Sequence, residues 1–453
     1  MKPAPVAWVG RGSPAFGEAV AALSASAWQP DRSPAAVARP RDAAGVRAAL
    51  ARAREEGRRV AVRSGGHSLS ATHLLDGAVT VDLGALHHVA VDPETATAWV
   101  GPGATVERAA RALGAAGFSF PLGHAPTVGL GGYLLAGGNG WNTPVWGHAC
   151  ERVLAADVVL PDATALRVDA GSHPDLFRAL RGAGPAFPGI VTAFRLALVP
   201  GDAPSTRVTV VVDARDPAAL GAALDDVVAA SPPHLELTVF WRPARGAGDP
   251  PHAVVSATAF GLDDADAPDL LRAVPSGMPA DVAVAGSLAA LLGPIPRHPG
   301  EAMFSDHAWT RAGFAEVLPL LPRRDPDLSP CSSVLVTPAA RRADGTAPDA
   351  ALYAPGGTLS VSAYAHWDPA HQRPGSPVAW ARGTIAALDD VRTGRYVGEA
   401  DLTGGTSALA DCFPPAALDD LRATAARYDP ESALASPLHT TDSFAFPGTS
   451  HQV

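Results

Sequence analysis

Hydrophobic residues recur at helical spacing in two stretches of the first 200 residues and alternate with polar residues in many short runs. The spacing predicts helices over 42–57 and over 105–117, the second with Thr105 as N-cap and Gly117 after its last turn. A further helix is expected over 172–182, capped by Ser172. Short β-branched runs predict strands at 58–62, 78–83, 87–92, 95–101, 153–160, 165–170 and 190–199. Many short strands with few crossover helices are typical of an α+β fold.

Strand-like runs become longer after Pro200. They cover 206–213, 234–241, 252–260, 332–337 and 358–367, and helices are predicted near 216–230, 264–273, 309–320, 378–391 and 415–427. This order favours an antiparallel sheet with helices on one face. We therefore divide the chain into a first domain over 1–200, a second over 201–410 and a segment over 411–453 that returns to the first domain.

Composition and charge narrow the class of protein. The 453 residues are 47% hydrophobic and 18% charged, enough to bury a large core. A formal net charge of −10 argues against nucleic acid or an anionic membrane as the main partner. We find no secretory signal, no membrane-spanning run, no cluster of metal ligands and only three widely spaced cysteines. A cytoplasmic protein without a metal site is expected.

Glycine is concentrated in two segments of the first domain. RSGGHS, residues 63–68, follows the strand predicted over 58–62, and residues 121–142 contain six glycines between positions 129 and 140. Backbone without side chains can approach a ligand closely and present successive N–H groups to it. Leu134 stands where a G-x-G-x-x-G dinucleotide fingerprint needs its third glycine. Each segment alone could equally serve only to make tight turns.

Four motifs occur together in one order along the chain: RSGGHS, GHAPTVGLGGYLLAGGNG (123–140), DLFRALRGAGPAFPGIVT (175–192) and ARYDPESALASP (426–437). The set resembles the FAD-linked oxidases of the berberine bridge enzyme type, within the vanillyl-alcohol-oxidase superfamily. The resemblance implies a two-subdomain FAD-binding domain and a substrate domain whose antiparallel sheet is covered by helices. It assigns FAD binding to Arg63, Ser64, Gly65, Gly66, His67, Ser68, Ala125, Thr127, Val128, Gly129, Gly131, Gly132, Gly137, Gly138, Gly140, Gly189, Ile190 and Val191.

The same resemblance implies that His67 is bonded covalently to the 8α-methyl carbon of the flavin. Neutral imidazole is a competent nucleophile for such a bond; the alternative is a histidine that only hydrogen-bonds its loop. Many relatives form a second link through the cysteine of CPTVG, but Ala125 occupies that position here, so a single link is predicted. Val128 matches the position near the flavin carbon that meets oxygen, and its modest size favours an oxidase.

Candidate catalytic groups lie in the second domain. In SVSAYAHW the alternation places Ser362, Tyr364 and His366 on one face of a strand. Tyr396 and Glu399, in GRYVGEAD, resemble the position of the family's base or proton relay, although Gly398 replaces its asparagine. The predicted catalytic residues are therefore Tyr396, Glu399, Tyr364 and His366. Trp241 and Trp367 could line an aromatic pocket or fill the core.

The predicted function is two-electron oxidation of an alcohol or amine carbon of a small molecule, such as a biosynthetic intermediate, with O₂ as acceptor and H₂O₂ as product. Three alternatives stay open: a carbohydrate oxidase that acts on an anomeric hydroxyl, a flavin-dependent cyclase or isomerase without net redox change, and a binding protein that has lost turnover. Substrate identity and oligomeric state are not specified by these patterns.

Overall fold

Three β-sheets of four, five and eight strands organise the described part of the chain. The computed structural model describes residues 6–201, 204–246, 248–261, 281–292, 300–325, 328–339, 351–353 and 356–439. The α+β class is confirmed, with mixed helices and sheets and a large antiparallel sheet. None of the described helices is both long and apolar enough to cross a membrane.

The first sheet, in the order β1-β2-β4-β3, is parallel except for β1. Its strands are β1 (Ala7–Gly10), β2 (Ala36–Arg39), β3 (Val60–Arg63) and β4 (Val79–Asp82). It is accompanied by the helices α1 (Phe16–Ala21) and α2 (Ala43–Glu55). Asp42 caps α2 by accepting the N–H of Gly45 at 2.8 Å, and the apolar side of α2 packs on β4. The first glycine segment follows β3 directly.

The second sheet is antiparallel, in the order β5-β6-β10-β8-β9. Its strands are β5 (Val89–Asp92), β6 (Thr97–Val100), β8 (Val153–Val159), β9 (Ala165–Asp169) and β10 (Ile190–Ala197). A separate ribbon pairs β7 (Phe118–Ser119) with β11 (Val199–Pro200). The helices of this region are α3 (Val106–Ala115), α4 (Leu130–Leu135), α5 (Thr143–Trp146) and α6 (Pro174–Leu180). Thr105 caps α3 as predicted, and Gly117 follows it with a φ of +78°.

Ser172 does not cap α6, so that prediction is wrong. The side chain of Asp169 accepts the N–H groups of Gly171 and Ser172, both at 2.8 Å, and closes a local turn. His173 then adopts a left-handed conformation, with φ 54°, and Pro174 opens the helix. The competing Asp169 turn removes Ser172 from the capping position.

The third sheet is antiparallel throughout, in the order β15-β12-β14-β13-β17-β18-β16-β19. Its strands are β12 (Ser205–Asp213), β13 (Leu235–Arg242), β14 (His252–Phe260), β15 (Asp281–Ala285), β16 (Ala302–Thr310), β17 (Ser333–Pro338), β18 (Leu359–Trp367) and β19 (Arg392–Gly394). The associated helices are α7 (Pro217–Ala230), α8 (Leu288–Leu291), α9 (Phe314–Val317) and α10 (Gly375–Ala386). One face of the sheet forms an apolar core with α7, α9 and α10.

Trp241 and Trp367 belong to that core and are fully buried, so they fill it rather than line a pocket. The helix predicted over 309–320 is wrong in its first part. Residues 302–310 form β16, paired along its whole length with β18, and only Phe314–Val317 is α-helical. The helix expected near 264–273 lies outside the described residues.

The C-terminal part of the described chain packs against the first two sheets. It contains α11 (Thr406–Ala410) and α12 (Pro415–Tyr428). Helix α12 contacts α6, where Arg178 donates to Asp420 at 2.8 Å. Beyond α12, Leu434 forms a parallel bridge with Val60, so the chain continues the first sheet beside β3.

Candidate active site

A cavity of about 850 Å³ lies between the two glycine segments and the polar face of the third sheet. Its size is at the upper end of the roughly 300–1,000 Å³ typical of ligand pockets. The sheet contributes alternate residues of six neighbouring strands, because side chains at every second position share a face. They include Arg207, Glu236, Thr238, Phe240, Arg242, Val254, Ser256, Met303, Ser305, Ser333, Leu335, Thr337, Ser360, Ser362, Tyr364 and His366.

The two glycine segments touch each other through their main chains. A Cβ atom at Gly65 would lie 2.4 Å from the backbone nitrogen of Gly129, and one at Gly129 would lie 2.6 Å from that of Gly65. Gly66 has φ +73°, and a Cβ there would meet the carbonyl of Leu23 at 2.2 Å. A Cβ at Gly131 would lie 2.8 Å from Ser64 Oγ. Gly65, Gly129 and Gly131 are therefore required first for the packing of one segment on the other, and Gly66 for packing on Leu23.

Gly132 is different, because a Cβ at this position would meet no atom within 4 Å. It lines the cavity together with Gly65, Gly129 and Gly131, so this wall is almost bare of side chains. A cavity of this volume, closed on one side by such a backbone wall, fits an extended dinucleotide such as FAD.

Most of the predicted FAD-binding residues line this cavity: Arg63, Ser64, Gly65, Gly66, His67, Ser68, Ala125, Val128, Gly129, Gly131, Gly132, Gly140, Gly189 and Val191. Thr127, Gly137, Gly138 and Ile190 do not. Strand alternation turns Ile190 into the core of the first sheet. Gly137 packs on the ring of Tyr353, where a Cβ would come within 2.5 Å, and Gly138 packs on Ala149.

His67 and Thr127 join the two segments by a side-chain hydrogen bond. The distance from Thr127 Oγ1 to His67 Nε2 is 3.0 Å. Ala125 and Val128 flank this pair in the same wall. The bond fixes the orientation of the imidazole at the cavity surface.

Glu399 is the buried carboxyl group of the cavity. Ser362 donates a hydrogen bond to its Oε2, and Tyr364 forms a second one with the same carboxylate. Burial raises the pKa of Glu399 above its ordinary value, and these hydrogen bonds oppose that shift. A carboxyl poised in this way can accept a proton from a bound substrate near neutral pH.

The tyrosines beside Glu399 have a different character. Burial raises the pKa of both Tyr364 and Tyr396 above the ordinary phenol value. Tyr396 Oη accepts the N–H of Gly138 at 3.3 Å, which links the carboxyl site to the second glycine segment. Both phenols stay neutral and cannot serve as bases at neutral pH. The O–H of Tyr364 is donated to Glu399, whereas that of Tyr396 can be donated to a ligand.

His366 has a different partner from this group. It is two residues beyond Tyr364 on the same face of β18, or roughly 7 Å along the strand. Its Nδ1 is 3.5 Å from Oε2 of Glu301, and both side chains are almost fully buried. Of the four predicted catalytic residues, the structure therefore brings together Tyr364, Tyr396 and Glu399 and places His366 beside Glu301.

Sequence reasoning did not single out two further polar groups. Glu236 hydrogen-bonds His124 Nε2 through Oε1 and accepts the N–H of Asn142 through Oε2 at 3.3 Å. The rings of His124 and Trp141 pack at a tilt of 49°, with centroids 4.0 Å apart. The alternation of LELTVFWR could have placed Glu236 on the cavity face. The buried His307 of β16 had no such signal, because AMFSDHAWT does not alternate clearly between apolar and polar residues.

Comparisons with known proteins agree with this geometry. Residues 34–169 match the FAD binding domain family. The FAD-linked oxidoreductase janO of Penicillium janthinellum is 37% identical over 192 residues, which cover 42% of this chain and 43% of the relative. The xylooligosaccharide oxidase of Thermothelomyces thermophilus is 38% identical over 188 residues, covering 39% of this chain and 38% of the relative. The matched segment thus spans less than half the length of these curated relatives.

The fold is also found in solved structures. That of BBE-like 1 from Physcomitrella patens superposes with a TM-score of 0.82 at 19% sequence identity, over 98% of both chains. This agreement covers both the sheets that carry the glycine segments and the large antiparallel sheet.

Proposed function

We propose that the chain is an FAD-linked oxidoreductase of the berberine bridge enzyme type, which oxidises an alcohol or amine carbon of a small molecule with O₂ as acceptor. Support comes from the match of residues 34–169 to the FAD binding domain family and from the similarity to an FAD-linked oxidoreductase over 42% of the chain. The observation that carries this proposal is the buried Glu399 carboxyl, with two hydroxyl donors, facing the glycine-lined wall. Bound FAD would accept the hydride of the substrate C–H bond and would then reduce O₂ to H₂O₂.

Glu399 takes the proton from the substrate O–H or N–H as the neighbouring carbon is oxidised. Ser362 and Tyr364 hold the carboxylate by hydrogen bonding, and the neutral phenol of Tyr396 orients the substrate heteroatom. The residues that would hold FAD are the cavity-lining groups of the two segments, namely Arg63, Ser64, Gly65, Gly66, Ser68, Gly129, Gly131, Gly132 and Gly140.

A single covalent link at His67 is part of the proposal. Thr127 orients the imidazole through Nε2, and the methyl group of Ala125 offers no thiol for a second link. Denatured protein should be yellow and heavier by one FAD. His67→Ala should lose the mass increment and release all of its flavin on acid precipitation, whereas Thr127→Val should keep the increment. A full increment in His67→Ala would refute the link.

Glu399→Gln tests the base. With a panel of amino alcohols, cyclic secondary amines and aldoses, anaerobic bleaching of the flavin should slow by about 10²–10⁴-fold in the variant. Tyr396→Phe is the matched control; it keeps the carboxyl and should slow bleaching far less. An unchanged rate in Glu399→Gln would remove Glu399 from the reaction.

Val128 lines the cavity wall beside Gly129, and we assign it to oxygen access. Val128→Leu should slow peroxide release in air while leaving anaerobic bleaching unchanged. An equal effect on both steps would show that the position acts on substrate rather than on oxygen.

Sugar oxidation is a second candidate, favoured by the match to a xylooligosaccharide oxidase. Bleaching by aldoses but not by amines would select it. Product formed without peroxide would instead indicate a cyclase or isomerase, and a panel that never bleaches the flavin would indicate a binding protein.

A further inference from the structure

Three consecutive residues of β16, namely Ser305, Asp306 and His307, bind residues 395–401, the segment that carries Tyr396 and Glu399. All three are more than 95% buried. They lie across from Tyr364, Ala363 and Ser362 of β18 in the antiparallel ladder.

Each of the three holds a different point of the segment. Ser305 Oγ donates to the carbonyl of Glu399 at 2.9 Å. His307 Nδ1 accepts the backbone N–H of Tyr396 at 2.9 Å. The carboxylate of Asp306 accepts from Arg395 at 2.8 Å and from the backbone N–H of Asp401 at 3.0 Å.

The side chains of Ser305, Asp306 and His307 are needed because the backbone hydrogen bonds between β16 and β19 do not extend to these residues. Strand β19 pairs with β16 only at Trp309 and Thr310, and the chain then leaves the sheet after Gly394. The backbone N–H of Tyr396 is deeply buried, and leaving it without an acceptor would cost about 1–3 kcal/mol. His307 supplies the acceptor that the next strand residue would otherwise have provided.

The geometry fixes the tautomer of His307. Since Nδ1 accepts from Tyr396, the ring proton resides on Nε2 and is donated to Ser360 Oγ at 2.9 Å. Burial, together with the positive charge of Arg395, lowers the pKa of His307 to about 3. The imidazole therefore keeps its acceptor over the whole working range of pH.

We propose that His307 is a positioning residue, which sets the place of the Glu399 carboxylate in the cavity by anchoring the backbone of Tyr396. The proposal rests on the proposed role of Glu399 as base. The main-chain bond from Glu399 N to Tyr396 O, at 3.0 Å, transmits the anchor to the carboxyl residue three positions later. The groups that interact with Glu399 itself are Ser362, Tyr353, Tyr364, Tyr396 and His124.

Two amide substitutions test whether His307 positions the Tyr396 backbone or only fills space in the core. His307→Asn places a carbonyl oxygen where Nδ1 stood and keeps the acceptor for Tyr396 N–H. His307→Gln reaches the site of Nε2 and loses that acceptor. In crystals of the FAD-loaded variants, the Glu399 carboxylate should stay in place in His307→Asn and move by about 1 Å in His307→Gln, a displacement that can cost about 100-fold in rate.

The same pair is compared by infrared titration of the Glu399 carboxyl band, identified by its loss in Glu399→Gln. Its midpoint should be unchanged in His307→Asn and displaced in His307→Gln. Steady-state turnover in air should show a lower kcat with little change in KM in His307→Gln. Identical carboxylate positions and midpoints in the two variants, whether native or displaced, would overturn the proposal.

The two proposals can fail separately. If Glu399→Gln bleaches as fast as the unmodified protein, the base assignment fails, while the crystal positions still decide the role of His307. If His307→Gln does not fold, His307→Leu serves in its place, because it fills the space of the ring and removes the acceptor for the Tyr396 N–H. A native carboxylate position in His307→Leu would then overturn the proposal.

Discussion

Replacing Gly65 by alanine should damage the cofactor site without touching the carboxyl group that we assign to the chemistry. The new Cβ would lie 2.4 Å from the backbone nitrogen and 2.8 Å from the Cα of Gly129. Both are main-chain atoms, so no side-chain rotation relieves the overlap, and the two glycine segments must separate. Overpacking of this kind costs about 1–3 kcal/mol.

That cost applies only while the segments are together. In the site that we propose, FAD requires the assembled wall, so its affinity should fall by the same free energy, which is roughly 150-fold at the upper end. A covalent link would obscure an equilibrium measurement. The substitution is therefore made in a His67→Ala background, and binding is followed by quenching of FAD fluorescence as the apoprotein is titrated.

Gly383→Ala is the matched control. Gly383 lies on the exposed side of α10, and a Cβ there would meet nothing within 4 Å. It should bind FAD normally and gain about 0.5–1 kcal/mol in stability, because alanine is the better helix former. A dissociation constant for Gly65→Ala within twofold of the His67→Ala background would refute the reasoning that the segments pack through these two glycines.

Three further substitutions test other contacts. Ser362→Ala removes a hydrogen-bond donor to the Glu399 carboxylate that is worth about 1.5–3 kcal/mol, so the pKa of Glu399 should rise. The pH at which the bleaching rate increases should then move to a higher value, and a move to lower pH would contradict this. Arg395→Ala leaves the buried Asp306 carboxylate without its ion-pair partner and should lower the free energy of unfolding by about 3–5 kcal/mol. The loss should be smaller at low pH, where Asp306 is protonated, and a loss that does not depend on pH would argue against the ion pair. Asp42→Ala should lower stability by about 0.5–2 kcal/mol through loss of the α2 cap, and an unchanged melting temperature would count against it.

Local patterns were sufficient for much of the first 200 residues. The Thr105 cap and the Gly117 stop of α3 are decided by neighbours within the helix, so the sequence predicts them directly. Ser172 shows the limit of the same reasoning. It has a good capping side chain, but Asp169, three residues earlier, captures its backbone N–H in a competing turn.

Long-range pairing accounts for what the sequence did not predict. β16 contains few β-branched residues, and its extended form is imposed by nine paired positions with β18. Missing this strand meant missing Asp306 and His307. The mutual packing of Gly65 and Gly129 joins residues 64 positions apart, and a glycine count alone cannot distinguish it from direct approach to a ligand. The single linkage proposed for His67 stays a prediction.

The bridge between Val60 and Leu434 has a consequence for synthesis of the protein on the ribosome. The strand that delivers RSGGHS receives its outer neighbour, through Ala435 N–H to Val60 O at 2.7 Å, only when about 370 later residues have been made. The β3 edge of the first sheet therefore stays unpaired through most of translation. Removal of residues 434 and 435 would leave this edge exposed permanently, next to the RSGGHS segment.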